Sequence, residues 1–344
     1  MIENKTEKGV PMRLSELKSF YSNITIQCHD NPDADAIASA YGLFCFFRDL
    51  GLETQMIYSG NYQIQKPNLK LMLEKLAIPI QYVREKKKVK GMLITVDCQY
   101  GAGNVTKFWA DAIAVIDHHQ PEVEEENAEQ NAETIQRIEI INPGFGSCST
   151  LVWSLLKEES YPIQSRSSLS TALYCGLFSD TSQFTELYHP CDLEMKEELI
   201  FDRDFFYQYK NSNLTLEELQ IAGLALQKYQ FHEEFSFAII SSLPCDPNVL
   251  GMISDFLLQV DGVTTCVVYN HTHDGYKFSV RSCSRKVKAS ELAQYLTDEI
   301  GTGGGHYEKA GGFIHLKFLK KKYGHDRIEE YFNERIKSFF YQAG

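Results

Sequence analysis

The stretch HDNPDADAIASAYG, starting at His29, places one histidine and three acids (Asp30, Asp33 and Asp35) within seven positions, then turns apolar. Acids at such a boundary either cap a helix, accepting from the N–H groups of its first turn, or hold a metal ion. For a single acid the two readings weigh about the same, and a lone histidine there is more often a loop residue. The theme then recurs. Asp97 follows LITV, Asp117-His118-His119 follows AVI, and Asp180 ends TALYCGLFSD. Each alone reads as a cap or a turn; the set does not. Carboxylates and imidazoles suit Mn²⁺, and two such ions about 3.5–4 Å apart form a clamp for phosphoryl hydrolysis. Four aspartates would offset the charge of two divalent ions.

Such a set needs elements that bring distant residues to one place. NITIQC (23–28), GMLITVD (91–97) and AIAVID (112–117) are short, continuously apolar runs. Strands of a parallel sheet covered on both faces look like this. Between and after them lie helical patterns: one ending at Gly51, and others at 67–76, 147–158 and 165–178. The alternation predicts an α/β domain with a mainly parallel sheet. Strand after strand ends in charge (TIQCHD, LITVDC, AVIDHH), and in open α/β sheets the site lies at the carboxyl ends of the strands.

Residues 192–230 read as an amphipathic helical connector. From 235 the pattern restarts: strand 235–240, helix 246–258, strands 262–270 and 276–282, helix 288–298, a glycine-rich turn at 301–305, strand 312–319 and helix 325–341. That is a second, smaller α/β domain. The acidic stretch 121–133 has no apolar periodicity and reads as a solvated loop.

Composition bounds the function. The 344 residues are 43% hydrophobic and 12% aromatic, enough for two cored domains. A net charge of -12 argues against wrapping long nucleic acid duplexes, which need a broad basic face. The nine cysteines are odd in number and form no Cys-x-x-Cys pair, so neither a disulfide framework nor a zinc ribbon is expected. With no apolar signal core near Met1 and no run long enough to span a bilayer, the expectation is a cytoplasmic protein off the membrane.

On these motifs the sequence resembles the DHH-family phosphoesterases. His29-Asp30-Asn31-Pro32-Asp33-Ala34-Asp35, Asp97, Asp117-His118-His119 and Asp180 occur in the family's order. GTGGGHYEKAGG (301–312) and KFSVRS (277–282) resemble the glycine turn and the Ser-x-Arg-Ser strand of the DHH-associated domain. The resemblance implies an α/β DHH domain at 1–195, a helical linker at 196–232 and a DHH-associated domain at 233–344. This is the short arrangement of nanoRNases and pAp phosphatases. It further implies that His29, Asp33 and Asp97 hold one metal, and that Asp35, Asp97, His118 and Asp180 hold a second. Mn²⁺ is expected, with Mg²⁺ as the substitute. His119 would face the substrate phosphate, with Asp117 orienting a histidine. Arg281, Ser282, Gly303, Gly304, Gly305 and His306 would bind the rest of the substrate, the second domain closing over it. Where many relatives have glycine, this chain has Ala34 and Ala38, and Thr302 interrupts the glycine run.

The function so implied is hydrolysis of very short RNA or of pAp. Cyclic or linear dinucleotides come second, polyphosphate or pyrophosphate third. The rival from another class is a catalytically silent nucleotide-binding protein. Expected partners are short nucleotides, with a homodimer admitted.

Overall fold

The computed structural model describes residues 13–85, 88–120, 136–305, 307–324 and 326–343. The chain divides into two compact units, Met1–Asn213 and Leu214–Gly344.

After a short 3-10 helix, the first unit runs β1 (Asn23–Cys28), α1 (Ala34–Asp49), β2 (Glu53–Tyr58), α2 (Pro67–Lys75), β3 (Ile80–Tyr82) and β4 (Met92–Val96). It continues with β5 (Ala112–Asp117), β6 (Gln136–Ile141), α3 (Cys148–Glu158), α4 (Ser167–Asp180), α5 (Pro190–Glu198) and α6 (Arg203–Lys210). The six strands form one sheet in the order β3-β2-β1-β4-β5-β6, with every neighbouring pair parallel. The expected parallel α/β sheet is therefore present.

The two faces of the sheet are built differently. Ile24, Ile26, Met92, Ile94 and Val96 join the large core that includes α1, α3 and α4. On the other face Leu93 packs with Ile57, Val89, Phe108 and Ala110. Polar residues alternate into that second face: Gln27 Nε2 donates to Thr106 O at 2.6 Å, and Gln55 Nε2 to Thr25 Oγ1 at 2.9 Å. Small residues let the helices close on one another. A Cβ on Gly42 of α1 would meet Val152 Cγ1 of α3 at 2.9 Å. Gly51, at φ 84°, follows the end of α1 and supplies the left-handed step that stops it.

The second unit runs α7 (Leu216–Leu226), β7 (Gln230–His232), β8 (Phe237–Ser242), α8 (Pro247–Leu257), β9 (Thr265–Thr272) and β10 (Gly275–Ser282). Then come α9 (Ala289–Thr297), β11 (Gly301–Gly305), β12 (Lys309–His315), α10 (Leu316–Tyr323) and α11 (Ile328–Ala343). Its sheet, β11-β12-β10-β9-β8-β7, is parallel only between β8 and β9.

Two local expectations are corrected here. The residues 301–305, expected as a turn, are strand β11, paired antiparallel with β12. Glycine is needed there for close approach: a Cβ on Gly303 would meet Thr297 Oγ1 at 2.7 Å. The expected strand at 312–319 ends at His315, and Leu316 begins α10. FIHLKF alternates well enough to read as strand, but three lysines and Gly324 at φ 74° close a helix instead.

The 196–232 segment is shared between the units: Phe205 and Tyr209 are buried in the core of the first, Ala222 and Ala225 in that of the second. The stretch 121–133 lies outside the described residues. Among the described residues no helix is long and apolar enough to cross a membrane.

Candidate metal centre

Strands β1, β4 and β5 lie side by side in the middle of the first sheet. Their carboxyl ends deliver His29, Asp97 and Asp117-His118-His119, while the start of α1 brings Asp33 and Asp35 and the end of α4 brings Asp180. Ligand-type atoms lie within 4.8 Å of one another in three overlapping sets: His29, Asp33 and Asp97; Asp35, His118 and Asp180; and Asp97, His118 and His119. All six residues expected as metal ligands thus come together, and Asp97 is the carboxylate common to two sets.

The closest approaches join these sets. His118 Nε2 stands 3.1 Å from Asp180 Oδ2, 3.3 Å from Asp97 Oδ1 and 4.0 Å from Asp35 Oδ2. His29 Nε2 stands 3.7 Å from Asp97 Oδ2. Asp97 has φ 57°, a left-handed conformation that a non-glycine residue adopts at a cost and that clusters at functional sites.

Burial makes this an expensive group of acids. It pushes the Asp35 carboxyl up to about 7, with the Asp180 carboxylate adding to the rise. Burial and the Asp35 charge likewise push Asp97 up. Burial also works against charge on His118, yet the Asp180 and Asp97 carboxylates close to it hold that imidazole up at about 12. Burial opposes ionisation of Asp33 too, but His29 and the N–H of Ala36 outweigh it and hold that carboxyl down. Among the described residues, Asp97 Oδ1 and His118 Nε2 are buried without a hydrogen-bond partner. A buried polar atom left unpaired costs about 1–3 kcal/mol. Several carboxylates, two imidazoles and these two unpaired atoms form a donor set that fits divalent cations.

Three of the candidate ligands are held from behind. Asp33 caps α1, its Oδ1 accepting from Asp35 N at 2.9 Å and Ala36 N at 3.1 Å. Capping and ligation are therefore compatible in one carboxylate. Asp35 accepts from Cys148 N at 2.6 Å and Ser149 N at 2.8 Å, the first amides of α3, which Ser147 caps. His118 Nδ1 faces Phe145 O at 3.2 Å, so the segment Phe145–Ser149 steadies two ligands at once. Asp192 of α5 fixes that segment in turn, its two oxygens taking Gly146 N at 3.1 and 3.0 Å. Gly176 of α4 lies against Ser149 Oγ, and a Cβ there would also meet Asp35 Oδ1 at 3.0 Å.

His119 differs from its neighbour in being 43% exposed. Asp117 Oδ1 lies 2.8 Å from His119 Nδ1, and Gln99 Nε2 donates to Asp117 Oδ2 at 3.2 Å. Asp30 belongs to none of the three sets. Its carboxylate accepts from Thr106 N at 3.1 Å and Thr106 Oγ1 at 2.8 Å.

In the second unit Arg281 Nε donates to Asp255 Oδ1 at 2.7 Å and Nη1 to Ser279 Oγ at 3.0 Å. Ser282 is buried, its hydroxyl donating to Val287 O at 2.7 Å. Gly303, Gly304 and Gly305 form β11, and His306 lies outside the described residues. The sequence reading missed Asp192, Gly176, Ser147 and Ser149. Ser147 carries a helix-cap signal; nothing in sequence separates Asp192 from other surface-type acids.

The model of the DHH family N-terminal domain matches residues 23–177, and that of the DHHA1 domain matches 235–337. An uncharacterized protein of Methanocaldococcus jannaschii is 24% identical over 318 residues, covering 92% of this chain and 63% of that protein. A probable manganese-dependent inorganic pyrophosphatase of Streptococcus thermophilus is 28% identical over 184 residues, 52% of this chain and 54% of that protein. The chain thus spans between about half and two-thirds of the length of these relatives. The crystal structure of an exopolyphosphatase-related protein from Bacteroides fragilis superposes with a TM-score of 0.68 over 96% of both chains, at 18% identity. With both domains matched in order and the candidate ligand motifs gathered at one sheet edge, the chain belongs to the DHH family, with DHHA1 as its second domain.

Proposed function

We propose that this chain hydrolyses phosphoester bonds of short nucleotides, with RNA of a few residues and pAp as first substrates. The observation that carries the reading is Asp97, buried, left-handed and common to two ligand sets. His29, Asp33 and Asp97 would hold one divalent ion, and Asp35, Asp97, His118 and Asp180 the other. Mn²⁺ is preferred, a choice supported by the likeness to a probable manganese-dependent pyrophosphatase of Streptococcus. Bound there, such ions supply Lewis acidity, lowering the pKa of water and stabilising charge on phosphoryl oxygens.

The chain's own groups do the positioning. Asp97, shared between the sets, fixes their spacing. Asp117 holds the Nδ1 proton of His119, so that ring gains and loses its second proton at Nε2 and can serve the leaving oxygen.

A phosphoanhydride substrate is the second reading, favoured by the pyrophosphatase relative. A silent nucleotide binder fits less well, because every expected ligand is present. The test is a Mn²⁺-dependent panel of pAp, pGpG, RNA of two to five nucleotides, cyclic di-AMP, polyphosphate and pyrophosphate, with products identified. Turnover confined to pyrophosphate would overturn the nucleotide assignment. Turnover of none would overturn the enzyme.

A further inference from the structure

A polar cavity of about 420 Å³ opens at the carboxyl edge of the first unit's sheet. Its walls come from the loops after four strands: Asp30 and Asn31 after β1, Asn61 after β2, Arg84 after β3, and Asn104 and Thr106 after β4. Those loops are tied together. Asp30 N donates to Asn104 O at 2.8 Å, and Thr106 takes both oxygens of the Asp30 carboxylate. Tyr82 Oη donates to Gly60 O and Ser59 Oγ to Val83 O, each at 2.7 Å. The cavity is therefore preformed.

One charge in it is uncommitted. Arg84 is exposed and has no ion pair or hydrogen bond among the described residues. Asp30, the acid in the same lining, is engaged by Thr106. The remaining lining offers amides and hydroxyls, with no aromatic ring for a base to stack on. A guanidinium with amides recognises phosphoryl oxygens and sugar hydroxyls rather than base faces. The volume lies in the usual range of small-ligand sites, about 300–1,000 Å³, and exceeds what a bare phosphate needs. Asn31 sits in the loop between His29 and Asp33, so one wall is continuous with the metal centre.

We propose that this cavity is a second-phosphate subsite, in which Arg84 takes the non-reacting phosphate of the substrate and the amides of Asn31, Asn61 and Asn104 take the adjoining sugar. The assignment rests on the phosphoesterase reading above. It makes the first unit a selector for substrates carrying two phosphates a nucleotide apart.

The test compares the metal-loaded wild type with Arg84→Ala and Arg84→Lys. Their kinetics are measured on pAp and on p-nitrophenyl phosphate, which carries a single phosphate. Calorimetry adds the binding of AMP, which keeps the non-reacting phosphate, and of inorganic phosphate. Arg84→Ala should raise KM for pAp and the Kd for AMP by about 10-fold, the loss typical of one charge-assisted contact. Arg84→Lys should recover part of that, while p-nitrophenyl phosphate and inorganic phosphate hold their wild-type values. Unchanged pAp kinetics and AMP affinity in Arg84→Ala overturn the subsite and leave the enzyme intact. Arg84-dependent AMP binding with no turnover of any substrate overturns the enzyme and leaves the subsite standing. Equal losses for p-nitrophenyl phosphate and pAp place Arg84 at the reacting phosphate and overturn the proposal.

Discussion

Both carboxylate oxygens of Asp192 converge on a single amide, Gly146 N, at 3.1 and 3.0 Å. That amide lies between Phe145, whose carbonyl faces His118, and Cys148 and Ser149, whose amides hold Asp35. Asp192 therefore acts on the metal centre without touching it. Asp192→Ala should weaken divalent-metal affinity by about 10- to 100-fold, as loss of outer-shell support does. Asp192→Asn, which keeps one acceptor oxygen, should lose less. Metal titration followed by calorimetry reads this directly, and equal affinity in wild type and Asp192→Ala would show that the segment holds itself.

Gly176→Ala tests the packing behind Asp35. The added methyl would meet Ser149 Oγ and Asp35 Oδ1 between two buried helices. Overpacking of this kind costs about 1–3 kcal/mol. At about 2–4 °C per kcal/mol for a unit of this size, the Tm should fall by several degrees. An unchanged Tm would mean that α4 can shift away from α1.

Chelation and Asp97→Ala should have the same consequence. Chelated protein should be inactive and should recover most with Mn²⁺. Asp97→Ala should stay inactive at saturating Mn²⁺, because its carboxylate, 3.7 Å from His29 Nε2 through one oxygen and 3.3 Å from His118 Nε2 through the other, is the one proposed to serve both ions. Near-normal turnover by Asp97→Ala would end the two-ion proposal.

His119→Ala separates chemistry from metal loading. His118 is nearly buried among the acids, whereas His119 is 43% exposed and tied to Asp117. His119→Ala should keep most of its metal and lose about 10²- to 10⁴-fold in kcat, the usual worth of a proton-transferring group. Loss of one metal with normal turnover in the loaded fraction would give His119 the role assigned here to His118.

The first unit was legible because a parallel sheet buried on both faces leaves continuous apolar runs, and NITIQC, MLITV and AIAVID are such runs. The clustering of the candidate ligands was legible because strand ends and helix starts are where charge interrupts apolar sequence. Strand β2 escaped because its first residues are exposed or half-buried, and β3 because it has only three residues. GTGGG read as a turn because glycine signals both left-handed backbone and close approach, and here close approach decides. What sequence could not supply is the support behind the ligands. Asp192 matters only because folding brings it to Gly146, 46 positions away in the chain.

All six proposed ligands, from His29 to Asp180, lie within one compact unit, Met1–Asn213. The reactive apparatus is thus modular with respect to the rest of the chain. A lineage could exchange the C-terminal unit without rebuilding the metal centre or the cavity beside it. The converse exchange is far harder: the ligands are interleaved with the sheet's own strands, so no short cassette of sequence could carry the centre elsewhere.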